Sequence, residues 1–192
     1  MVIGKKEMSF LNRFPKIQQI IPVYAVGVTL LYSWTIFRAT KDFSANWSLF
    51  LNVGDILGLF SYMLVGDFLE SLLMICSLLL LSFLLPRNLL TNKFNKRGSI
   101  LAITFLCSIM VFYLRSSEYL FPNMGIENIN WWIVTFVFIF TVSALVLLAA
   151  GESFQMFGKF VESIADRCII FLYFYLPLTF LSIVAIIFRN IG

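Results

Sequence analysis

Five stretches, 17–37, 66–86, 99–114, 131–150 and 168–188, place apolar side chains on nearly every face of a helix. A helix rises about 1.5 Å per residue and the hydrocarbon core of a bilayer is about 30 Å thick, so about 20 such residues suffice to cross it. The pattern predicts an all-α fold, a multi-pass bundle of five transmembrane helices. The third stretch is short and borrows neighbours at each end. Pro22 and Pro177 fall inside the first and last spans, where neighbouring helices can re-satisfy the carbonyl groups that proline frees, and each is expected to kink its helix. No internal repeat or low-complexity linker divides residues 1–192, which are expected to form a single membrane domain.

Two further segments carry a two-faced pattern. Within 47–62, Leu49, Phe50, Val53, Ile56, Leu57 and Phe60 trace one helical face, and Ser48, Asn52 and Asp55 line the other. A helix surrounded by lipid is apolar all round, whereas one lying in the interface has a wet side. Residues 47–62 are therefore expected to lie flat on the outer surface. Within 151–167, Phe154, Phe157, Phe160, Val161 and Ile164 share a face while Glu152, Gln155, Lys159, Glu162 and Asp166 lie elsewhere. That predicts a second amphipathic surface helix, on the inner side, packing against lipid or docking into a partner.

Charge orients this bundle. With five spans and the N-terminus in the cytoplasm, the inner segments hold ten Lys and Arg and the outer segments four, Arg38, Lys41, Arg115 and Arg189. Letting 47–62 cross as a sixth span leaves six inside against eight outside. The positive-inside rule favours five spans. Trp34, Trp47, Trp131 and Trp132 then collect near one interface, where amphipathic rings settle. The expected location is a cell membrane, with the N-terminus cytoplasmic and the C-terminus outside. Lys5, Lys6, Arg13 and Lys16 precede the first span as they would a signal peptide, but the apolar run is long and no A-x-A-like site follows it, so it is expected to stay uncleaved.

Composition narrows the chemistry. The chain is 60% hydrophobic and 12% charged, about half the charge of a soluble domain. It has no His, hence lacks the commonest general base and metal ligand. The net charge of +4 comes from cations flanking apolar runs, not from a continuous basic surface, which argues against nucleic acid as a partner. Cys76, Cys107 and Cys168 lie far apart inside apolar runs and are expected to be small buried hydrophobes. No catalytic triad, phosphate-binding glycine loop, metal-spaced cluster or haem ligand pair is written in the sequence, so neither a cofactor nor a metal is expected. The tripeptide at 46–48 matches the N-glycosylation pattern, which a glycosylating host alone makes meaningful.

Three sets of polar residues remain. Asp67 and Glu70, three apart on one helical face, are candidates to contact a cation or polar substrate. Their place at the start of the second span suggests instead that both reach outer water or pair with Arg38 or Lys41. Asp55, beside Asn52, is expected to join that outer polar patch or to belong to the wet face of the surface helix. On the inner side, Arg87, Lys93, Lys96 and Arg97 stand in a loop without an acid, a contact site for anionic lipid headgroups at about 1 kcal/mol per cation, or for a protein partner. Polar residues within the spans are mostly Ser and Thr, ordinary packing elements of membrane helices. The sequence thus favours a non-enzymatic subunit or partner-binding component of a membrane complex. A small transporter or channel working as a homo-oligomer is the alternative, and a membrane-embedded enzyme acting on lipid comes third.

Overall fold

The computed structural model describes residues 14–42, 51–85, 90, 93–119 and 126–191. Five helices account for nearly all of them: α1 Ile17–Asp42, α2 Val53–Leu84, α3 Phe94–Tyr119, α4 Ile126–Ser153 and α5 Gln155–Ile191. No strand occurs among the described residues. Each helix contains a stretch long and apolar enough to cross a membrane. The helices run on through Pro22 and Pro177.

Both expected surface helices are corrected as separate elements. Residues 53–62 are the first turns of α2, which continues unbroken for 32 residues to Leu84; 47–50 lie outside the described residues. No proline separates the two stretches, and a Cβ at Gly66 would meet nothing within 4 Å, so nothing obliges the chain to turn there. Part of the supposed wet face has another task. Asn52 is the N-cap of α2, its side-chain oxygen accepting from the backbone N–H of Asp55 at 2.9 Å. Likewise 155–167 are the first turns of α5, with Phe154 alone between α4 and α5. At about 1.5 Å per residue the 32 and 37 residues of α2 and α5 reach about 48 and 55 Å, longer than the hydrocarbon core alone.

Side-chain pairings fix how neighbours run. Thr35 meets Asp67 and Phe14 stacks on Phe83, so α1 and α2 are antiparallel. Val23 faces Gly98 and Arg38 covers Tyr113, so α3 runs parallel to α1. Phe105 meets Phe140 and Arg97 meets Glu152, so α4 runs back along α3. Asp55 meets Arg189, which sets α5 antiparallel to α2.

Helix α1 is the axis of the bundle. Half of its apolar stretch is buried, against 6% for α4, and it packs on α2, α3 and α5. Val23, Val28, Leu31 and Tyr32 of α1 form the centre of the core with Leu64, Met74, Ile75 and Leu78 of α2 and Phe94, Leu101, Ala102 and Leu106 of α3. Close approach depends on small residues. Gly98 brings α3 onto Val23, Ala102 one turn on is fully buried, and a Cβ on Gly27 would overlap the Met74 side chain. On the other side Ala25 and Val26 pack against Ala165 and Cys168 of α5.

The packed face of 155–167 is therefore the small one, Gly158, Val161 and Ala165, while Phe154 and Phe160 are exposed. Close helix contact in lipid favours small residues, and large rings are displaced outward. Cys168 is buried as expected, but Cys76 and Cys107 are exposed on the outside of the bundle.

A polar pin ties α1, α2 and α5. The Tyr32 hydroxyl, 1% exposed, sits 3.2 Å from the Leu64 carbonyl of α2 and against the Thr179 hydroxyl of α5. Two glycines separate close packing from mere helix content. Gly98→Leu drives a side chain into Val23 and is expected to destabilise the bundle by about 1–3 kcal/mol. Gly66→Leu meets open space and is expected to leave thermal unfolding in detergent unchanged or slightly raised. Equal losses of unfolding temperature would contradict this packing.

Candidate functional site

The axial position of α1 has a consequence for its neighbours. Helices α2 and α3 both lean on α1 but scarcely touch each other. Between them lies a cavity of about 700 Å³, within the range of sites that hold small molecules. Leu31 and Thr35 of α1 form its floor, Met74, Ser77 and Leu81 of α2 one wall, and Leu101, Phe105 and Ile109 of α3 the other. From Asp67 to Leu81 the cavity follows α2 for 14 residues, about 21 Å.

Its polar groups gather at one end. Arg38, Asp67, Glu70 and Tyr113 line that end, and the rest of the lining is almost wholly apolar. Asp67 is 7% exposed, against the expectation that it reaches water. Its Oδ1 accepts from the Thr35 hydroxyl at 2.8 Å, and its Oδ2 has no hydrogen-bond partner among the described residues. Glu70, one turn on, is exposed. The two acids that share a helical face thus differ in surroundings, because α2 presses Asp67 onto α1 and turns Glu70 toward the rim. The Arg38 guanidinium lies 4.3 Å from the centre of the Tyr113 ring, a cation–π contact that leans it toward α3.

The pairing of Asp67 has a sequence signal that pattern reading passed over. Tyr24, Tyr32 and Thr35 stand on one face of α1, and α2 sets Ser71, the Leu64 carbonyl and Asp67 against them. A polar stripe on an otherwise apolar span marks a face turned to another helix.

Asp55 does not join this site. Its Oδ1 lies 2.9 Å from the Arg189 Nη2, across a surface where Gly58 leaves room for the Arg189 side chain; a Cβ there would collide with the guanidinium. Tyr62 and Asn190 add a hydrogen bond beside it, with the amide nitrogen 3.2 Å from the phenol oxygen. Both ion-pair side chains are well exposed, so this clasp contributes about 0.2–1 kcal/mol and fixes register more than stability.

The basic segment lies at the opposite end of the bundle. An acid does serve it: Glu152 of α4 takes Lys93 Nζ at 2.9 Å and Arg97 Nε at 3.0 Å. The Lys96 stem packs over Gly158, where a Cβ would meet it. Arg87, Trp47 and the 46–48 tripeptide lie outside the described residues, as do the side chains of Trp131 and Trp132. Among the described residues no three His, Cys, Asp or Glu side chains gather as a metal site would require.

The cavity is an apolar trough with a charged end, where one buried carboxylate oxygen has no hydrogen-bond partner among the described residues. No family model, curated protein or solved structure matches the chain.

Proposed function

We propose that this chain is a non-enzymatic, multi-pass membrane component that takes an acyl-chain amphiphile from the bilayer into the groove between α2 and α3. The observation that carries this reading is the cavity of about 700 Å³ between two helices that scarcely touch, polar at one end and apolar along the rest. Half of a bilayer core is about 15 Å deep, so a trough of about 21 Å accommodates the chain of a lipid from one leaflet with its head at the polar end.

Ser77 faces the groove and its neighbour Cys76 is exposed without lining it. Native mass spectrometry of the protein in mild detergent should find lipid retained by the wild type and by Cys76→Trp, and lost from Ser77→Trp, whose ring fills the trough. A wild type that retains no lipid, or a Ser77→Trp that retains as much, would refute the groove as a binding site.

The orientation proposed is N-terminus cytoplasmic and C-terminus outside. It rests on the ten-to-four division of Lys and Arg. It is supported by clustering at opposite ends of the bundle, with Arg38, Asp55 and Arg189 at one and Lys93, Arg97 and Glu152 at the other. Single cysteines in a background without the native three should label from outside at Ser44 and Asn123 and be protected at Asn92 and Ser153. Labelling of Asn92 from outside would reverse the assignment.

A second reading is favoured by α4. It packs mainly on α3 and leaves Val134, Val137, Phe138 and Leu145 each more than half exposed. We propose that α4 meets a protein partner within the membrane, which makes the chain a subunit of a complex. Purification from native membrane should yield a stoichiometric partner that Phe138→Ala with Leu145→Ala releases. A pure homo-oligomer would favour the transporter or channel reading instead.

A further inference from the structure

The groove has a charge pattern as well as a shape, and the pattern selects a head group. The acids stand on the α2 wall, Asp67 within and Glu70 at the rim. The cation leans to the α3 wall, where Arg38 is held over Tyr113. A head that carries positive and negative charge in sequence bridges the two walls. A head with a single negative charge meets two carboxylates against one guanidinium.

The donor requirement is set by Asp67. It lines the polar end of the cavity and is more than nine-tenths buried; one oxygen is engaged by Thr35, and the other is buried with no hydrogen-bond partner among the described residues. A buried carboxylate without a counter-charge is costly, and a hydrogen-bonded cation relieves that cost. An alkylammonium with N–H groups donates to such an oxygen; a trimethylammonium has none to give.

We propose that the polar end of the groove recognises an amphiphile whose head carries a primary ammonium beside a phosphate, the ammonium donating to the Asp67 carboxylate with Glu70 beside it and the phosphate facing Arg38. This rests on the groove being a lipid site, and it adds the class of lipid. Charge-assisted hydrogen bonds are the stronger kind, so full methylation of the ammonium is expected to weaken binding about tenfold.

The test uses the full chain in mild detergent and four added lipids with the same chains: phosphatidylethanolamine and its mono-, di- and trimethyl derivatives. Native mass spectrometry titrations should show affinity falling along that series, with no variant needed. Asp67→Asn keeps an acceptor for Thr35 and an unchanged unfolding temperature would verify its fold. It should flatten the series to within about twofold. Arg38→Gln should weaken phosphatidylethanolamine and spare a single-chain primary amine that lacks phosphate, which separates the contributions of the two charges.

Retention of lipid that Ser77→Trp abolishes, together with equal affinity along the methylation series, would overturn the head-group assignment and leave the groove reading standing. No retained lipid at all would remove both. An infrared band of a protonated carboxyl, absent in Asp67→Asn and unchanged when phosphatidylethanolamine is bound, would also overturn the assignment, because such a carboxyl needs no ammonium.

Discussion

The bundle depends on how closely three helices can approach α1. In water, apolar faces are driven together by leaving solvent; between lipid-solvated helices that drive is absent, and association rests on van der Waals contact and a few polar bonds. Contact falls off steeply with distance, so the small residues decide the architecture. Gly98 seats α3 on Val23, Ala165 seats α5 on Ala25 and Val26, and Gly27 accepts the Met74 side chain from α2. The Tyr32 hydroxyl, placed where α1, α2 and α5 meet, adds a polar contact in a region where unsatisfied groups are expensive.

The groove follows from the same constraint. An axial helix surrounded by three others has its neighbours arranged around it, and α5 occupies the side where it meets both α1 and α2. Helix α3 contacts α1, α4 and α5, and this leaves its flank toward α2 without a packing partner. The result is an opening between α2 and α3 whose floor is the core helix itself. The opening is polar where Thr35 and Arg38 surface and apolar below.

Much of this arrangement was legible in the order of residues. The five long apolar helices were, because apolar length is a strong and local signal. Their ends were not: the helices that hold the stretches 66–86 and 168–188 begin earlier, at Val53 and Gln155. Two-faced periodicity marked 47–62 and 151–167 as surface helices, but periodicity reports which side is apolar and not whether the helix stops. In the second segment it placed Phe154 and Phe160 with Val161 and Ile164, whereas packing kept Val161 and Ile164, added Gly158 and Ala165 and left the two rings outside, since close helix contact in lipid favours small residues. Small residues one turn apart, Gly98 and Ala102, carry that information, and a search for paired glycines alone misses them.

The polar residues divide by the range of their partners. Asn52 caps its own helix, a local pattern open to sequence reasoning. Glu152 is remote in sequence from Lys93 and Arg97, so the basic segment looked unaccompanied until the chain folded back. Asp67 is the extreme case. Whether it faces water or Thr35 depends on which side of α2 lies against α1, and the side is set by packing along the whole helix, by Leu64, Met74 and Leu78 at the same face. Each of these apolar contacts is weak, but together they determine the rotation of α2. That rotation presses a carboxylate into the bundle while the next acid, Glu70, remains at the rim. The polar end of the groove is thus a product of apolar packing, and its chemistry rests on contacts that carry no charge.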